Sequence, residues 1–252
     1  MAGRTVSKWQ RVYIGGYDLS GYTRSMGPLT HEFDTPGATT LSDAVKGYLP
    51  NQVMISPGTL NGVLDPTTAG LHAIANGAGS VWDVMVAIGM RAEPAAGDPV
   101  FMCKSLQTAY SADSADLITV NVPFGSWDVN DLPTFRTPWG FLVHTKAART
   151  AVNTATGLDD NAASSALGGY AMFQLFSSNG TVTLSVQDAA TNSDGSFTEL
   201  LTSGSIDASV TPVGNIVSTA TGATVKRYLR WQLAFGTANT ATFAIGFCRN
   251  KL

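Results

Sequence analysis

Charge is what this sequence has least of. Only 13% of its 252 residues are Asp, Glu, Lys or Arg, about half the share usual in soluble domains. With 15 Lys and Arg against 18 Asp and Glu, the net charge is −3, and the basic face needed to grip nucleic acid by its phosphates is missing. Cysteine is nearly absent too. Cys103 and Cys248, each inside an apolar run ("VFMCK", "IGFCRN"), make neither a disulfide framework nor a metal knuckle; two buried thiols fit synthesis in a reducing cytosol. No apolar run approaches the ~20 residues that span a bilayer. The N-terminal "MAGRTVSKWQ" carries positive charge without the apolar segment of a signal peptide, so no membrane partner is expected.

Chemistry-bearing motifs are equally scarce. Gly15, Gly16 and Gly21 in "RVYIGGYDLSGYTRS" are followed by Tyr22, Thr23 and Arg24 rather than by the Lys and Ser/Thr of a phosphate loop. The stretch reads as a strand and a bend. His31, His72 and His144 have no partners at metal-ligand spacing. His31, beside Glu32 and Asp34, reads as a polar loop tip, and His144 in "GFLVHTK" as the outer face of a strand. Asp159-Asp160, and Asp188 with Asp194, are too few and too widely spaced for a calcium loop and read as turns. No nucleophile elbow is present. The expectation is a protein without cofactor, metal or catalytic centre, and not an enzyme. "VKRYLRWQ" interleaves cations with Tyr228 and Trp231 as a single-strand nucleic-acid platform would, but the strand phase turns Trp231 inward, so a core strand with a polar outer face is preferred.

Ala, Thr, Ser, Gly and Asn supply the surface instead, which suits a protein packed against copies of itself. Period-2 alternation dominates the chain. Val182, Leu184 and Val186 share a face, as do Leu229, Trp231, Leu233 and Phe235, and Phe243, Ile245 and Phe247; Tyr228, Arg230 and Gln232 point out. Trp82, Val84, Val86 and Ile88 share another face. Asn179-Gly180 predicts a hairpin, and residues 236–240 predict a second. The one plausible helix spans 68–77. The segment from Met26 to Pro50 is Gly/Pro/Thr-dotted and weakly periodic, a length of loop that is usually functional or ordered by a partner. Prolines and turn formers at about 126–140 mark a linker. The reading is all-β: an antiparallel β-sandwich or barrel over 1–127, then a second β-sandwich over 128–252.

"VYIGGYDLSGYTRSM", then a long loop, then "DAVKGYLPNQVMISPGTLNGVLD" resembles the start of the tail tube (major tail) proteins of long-tailed bacteriophages. That family often begins with an "I-x-G-Y-D-L-S-G" strand and bend, and the match continues through Lys46, Leu49, Thr59, Leu60, Gly62 and Asp65. It covers about residues 8–127. The C-terminal region, with its "R-Y-x-R" strand, is similar to the second half of larger tail proteins. The resemblance implies a tail-tube-like first domain and a structural virion protein that self-assembles into stacked rings forming a conduit for DNA ejection. Rings would be hexameric, or trimeric if both domains are tube-like. Other tail proteins would be partners, and DNA would pass a neutral or acidic lumen without specific binding. The chain would reside in the virion tail after assembly in the host cytoplasm. The 26–50 loop, with His31, Glu32, Phe33 and Asp34, would then meet the neighbouring ring, while Lys226, Arg227 and Arg230 would meet acidic groups of a neighbouring subunit. The alternative is a virion adhesin or capsid decoration protein whose C-terminal sandwich binds carbohydrate through Trp139, Tyr170 and Trp231.

Overall fold

The computed structural model describes residues 7–33, 53–67, 70–90, 92–114, 116–127, 137–152, 157–159 and 162–251. In the first half lie β1 (Gln10–Ile14), β2 (Tyr17–Asp18), β3 (Thr23–Gly27), β4 (Thr30–Phe33), β5 (Val53–Ser56), β6 (Thr59–Val63), the short helix α1 (Leu71–Ala75), β7 (Val81–Ile88), β8 (Pro99–Gln107), β9 (Ser111–Asp113) and β10 (Thr119–Ser126). The second half holds β11 (Trp139–Arg149), β12 (Leu158–Asp159), β13 (Gly169–Ser178), β14 (Thr181–Ala189), β15 (Thr198–Asp207), β16 (Val213–Ser218), β17 (Tyr228–Phe235) and β18 (Ala241–Arg249). The expected β class, antiparallel with one short helix, is what forms.

Local chemistry explains the first turn. Gly15 and Gly16 have φ of 56° and 85° and link β1 to β2 as a two-residue hairpin, a turn that needs left-handed backbone at both positions. A Cβ on Gly16 would stand 2.3 Å from the Val213 nitrogen, because this turn is pressed into the second half of the chain.

A 12-stranded antiparallel sheet runs through both halves, in the order β16-β13-β18-β11-β8-β10-β6-β3, with β7, β1 and β2 continuing from β8 and β9 beside β10. β8 is its pivot. β7 lies along one edge of β8 from Leu106 to Val100. The other edge is divided: β11 takes Pro99 to Phe101, and β10 takes Ser105 to Gln107. β14, β15, β17 and β12 form a separate four-stranded sheet.

Three apolar cores fill the spaces between these layers. Val12, Ile14, Val84, Val86, Phe101 and Cys103 face Leu60, Leu71, Val120 and Val122 in the first. The opposite faces of the same strands carry Tyr13, Met85, Ala87, Val100 and Met102, which pack on Leu142, Tyr170, Met172, Ala244 and Cys248. Phe173, Leu175, Phe243, Ile245 and Phe247 then meet Val182, Leu184, Val186, Leu229 and Leu233. Strands such as "VMVAI" are thus buried on both faces, which is why alternation is blurred there while it is clean in β14, whose second face carries Thr181, Thr183 and Ser185. Cys103 and Cys248 are both buried, and neither forms a disulfide.

Two cores are each confined to one half of the chain, between residues 12 and 124 and between 143 and 247. They favour a division into units at 1–127 and 128–252, which we keep as a proposal. The third core and the β8–β11 ladder join the two sides. So do Gln174 and Asp18. The Gln174 Oε1 accepts from the Gly16 backbone N–H at 2.6 Å and its Nε2 donates to the Asp83 carbonyl at 3.0 Å, while Asp18 pairs with Lys146 at 2.6 Å.

Both expected C-terminal hairpins are corrected by the topology. β13 pairs with β16 and β18, whereas β14 pairs with β15 and β17. Asn179-Gly180 therefore joins strands of two facing sheets. Residues 236–240 do the same between β17 and β18. Each reversal is an arch, stepping across the core instead of returning along its own sheet. Gly180 at this reversal has a φ of 153°.

Candidate assembly surface

β4 and β5 form a two-stranded ribbon apart from the large sheets. In register, Thr30 faces Ser56, His31 faces Ile55, Glu32 faces Met54 and Phe33 faces Val53. The start of the expected irregular 26–50 loop is therefore strand, paired with residues beyond that loop. Asp34 and the rest of the segment to residue 50 lie outside the described residues.

The ribbon is rooted at one end and bare at the other. At the root, Ile55 and Ser56 are buried. The Ser56 hydroxyl donates to the Phe124 carbonyl at 2.6 Å, and the Ser126 hydroxyl accepts from the Ile55 N–H at 3.3 Å. At the far end, Phe33 is 51% exposed and Met54 45% exposed. Alternation places His31 and Phe33 on one face with Val53, their rings 5.6 Å apart, and Glu32 with Met54 on the other. His31, Glu32 and Phe33, expected from the sequence in a loop, lie on this ribbon, and Met54, opposite Glu32, joins them only through the pairing with β5.

The cations expected to reach a neighbouring copy hold carboxylates of their own chain. Lys226 lies 3.2 Å from the Asp188 carboxylate, which also accepts the Lys226 backbone N–H at 2.9 Å. Arg227 makes a two-pronged contact with Asp159 at 3.0 and 2.8 Å. Arg230 bonds Gln187 at 2.8 Å, pairs with Asp194 and lies over the Phe197 ring at 4.3 Å. The expected outward phase of Arg230 is correct relative to Leu229, yet the side chain is only 7% exposed, because the 194–197 segment covers it. Asp159, Asp188 and Asp194, read from sequence as turn residues, are the partners of these three cations.

His144 is a correction. Instead of the outer face, it occupies the core, 3% exposed, stacked on Phe243 with centroids 4.4 Å apart and edge-on to Trp231 at 4.7 Å. The register of β11 against β18 shifts on both sides of it, and a bulge of this kind re-aims a side chain against the period. Its Nε2 accepts from Arg149 Nε at 2.9 Å, so Nδ1 carries the proton and donates to the Phe243 carbonyl at 3.2 Å. Burial first, and the Arg149 charge second, lower its pKa to about 4.

The aromatic platform of the adhesin alternative does not form. Tyr170 is fully buried, its hydroxyl donating to the Met102 and Thr137 carbonyls. Trp231 packs against the core between the two facing C-terminal sheets. Trp139 is the partly exposed one, set edge-on to Phe101.

The described residues thus define a β-rich protein built from antiparallel sheets, with a two-stranded ribbon exposed at one end. No family model matches the chain, and no curated protein matches it. Among solved structures it is similar to the SPP1 Dit (gp 19.1) protein, a paradigm of the hub adsorption apparatus in Gram-positive infecting phages. The TM-score is 0.33 and the identity 12%, over 95% of this chain and 99% of that one.

Proposed function

We propose that this chain is a structural subunit of a long-tailed phage, closing with its copies into rings that stack as the tail tube and conduct DNA at ejection. The observation that carries the reading is the β4–β5 ribbon, rooted on β10 and bare at Phe33 and Met54. A two-stranded ribbon is marginal by itself in water, and large apolar side chains presented at its end gain stability when a partner covers them. The sequence resemblance over about residues 8–127 supplies the identity of the partner: the same chain in the next ring. Hexameric rings follow if one half builds the wall, trimeric rings if both do.

The charge balance suits a conduit. A chain of net charge −3 whose Lys226, Arg227 and Arg230 are held by internal carboxylates presents little to retain phosphate. The test is the double substitution Phe33→Ser, Met54→Ser, followed by sedimentation velocity and circular dichroism. The reading expects an unchanged β spectrum with loss of the assembled species. Assembly equal to that of the parent chain overturns it.

A further inference from the structure

Outside the ribbon, the outer face of β3, β6, β10 and β9 forms a concave groove of about 550 Å³ lined by Arg24, Ser25, Asn61, Ser111, Asp113 and Asn121, among others. Register explains the lining. Ser25 lies opposite Asn61, Asn61 opposite Asn121, and Asn121 opposite Ser111, so one row of short polar side chains crosses four strands. Leu60, Val120 and Val122 take the inner face, which fixes this row outward. Neighbouring strands are ~4.8 Å apart, so the two carboxamides stand about one sugar ring apart.

Asn179, Asn192, Asn215 and Asn250, elsewhere in the fold, each donate a hydrogen bond to another segment. In the groove, the Asn61 carboxamide donates to Ser25 at 3.3 Å, and both Asn61 and Asn121 line the opening.

The chemistry of the lining eliminates most occupants. Arg24 and Asp113 cancel, so there is no net charge to draw nucleic acid or an anionic lipid surface. The floor has no large apolar side chain exposed to it, so an amphipathic helix gains nothing there. Addition of a strand to β3 is blunted by the bulge between Thr23 and Ser25, by the Arg24 charge and by Pro28 just beyond the strand. What two carboxamides, two hydroxyls and one charge of each sign do match is a neutral polyhydroxylated ligand, because a carboxamide donates and accepts at once across neighbouring hydroxyls. The geometry points to a carbohydrate site here, taking two or three sugar residues of a neutral glycan by hydrogen bonds alone. It is separate from the C-terminal aromatics and does not depend on ring assembly.

Without an aromatic platform, affinity is weak, with a dissociation constant on the order of 1 mM. The test is an amide and side-chain carboxamide NMR titration of the isotopically labelled full chain with chitotriose, maltotriose and cellotriose. At least one probe is expected to shift the Asn61 and Asn121 resonances saturably, with changes confined to β3, β6, β9 and β10. Asn61→Ala and Asn121→Ala, at a half-buried and an exposed position of the outer face, are each expected to leave the β spectrum unchanged and to weaken that binding at least fivefold. No shift in these strands with any probe at tens of millimolar overturns the proposal, as does binding that survives both substitutions. Shifts that follow protein concentration without sugar would identify the groove as a contact between copies, and the carbohydrate assignment would be wrong.

Discussion

The side chain of Asn179 clamps that of Asn239. The Asn179 amide donates to the Asn239 side-chain oxygen at 2.6 Å, and its own oxygen accepts the backbone N–H groups of Asn239 and Thr240 at 2.9 and 3.2 Å. Beside them Thr181 and Thr237 bond reciprocally, each hydroxyl accepting the other's backbone N–H. The two arches that carry the chain between the facing sheets are thus fastened to one another at the same end of the core.

Removing that fastening has a defined cost. Asn179→Ala leaves two backbone donors of the second arch to water and is expected to lower stability by about 1–2 kcal/mol. Gly180→Ala is expected to cost more, because a Cβ there meets the Thr237 hydroxyl at 2.6 Å on a backbone with φ of 153°. Urea unfolding of the two variants checks both the magnitudes and the order.

His144 makes stability depend on acidity. Its pKa, lowered to about 4 in the fold from about 6.5 in the unfolded chain, means that the unfolded state binds a proton first as pH falls. Its contribution is therefore complete above pH ~6.5 and is lost between ~6.5 and ~4, amounting to about 3 kcal/mol. His144→Phe is expected to remove this part of the slope of stability against pH. A variant with the parent's slope over that window would assign the acid sensitivity to other groups.

The three internal ion pairs are expected to differ in weight. Arg227→Ala breaks a half-exposed pair and should cost less than about 1 kcal/mol. Asp194→Asn weakens the hold on Arg230, which is nearly buried, and is expected to cost about 1–3 kcal/mol. Neither change should alter the assembled size distribution if these cations serve the subunit's own fold. Denaturant curves and sedimentation of each variant measure the two effects side by side.

Much of this architecture is legible in the sequence where a strand buries one face. Val182, Leu184 and Val186 alternate cleanly because the other face of β14 is polar; Phe243, Ile245 and Phe247 do so although β18 is buried on both faces, because the intervening Ala244 and Gly246 are small. The Gly15-Gly16 turn is legible because only a primed turn asks for two such residues in succession. Asn179-Gly180 misleads for a physical reason: a tight reversal looks the same whether the chain returns along its own sheet or crosses to the facing one, and only distant pairing partners decide. His144 is missed because a bulge breaks the period that placed it. The ribbon is half legible; His31, Glu32 and Phe33 stand out as a segment without core periodicity, but their partner strand lies some twenty residues away, beyond the reach of local pattern.

Imaging the purified chain by electron microscopy at assembling concentrations tests the central claim most directly. The account predicts rings with an open central channel, stacking into tubes of uniform diameter, that disappear when Phe33 and Met54 are both replaced by Ser. A field of dispersed single subunits from the parent chain, at every concentration and salt examined, would contradict it.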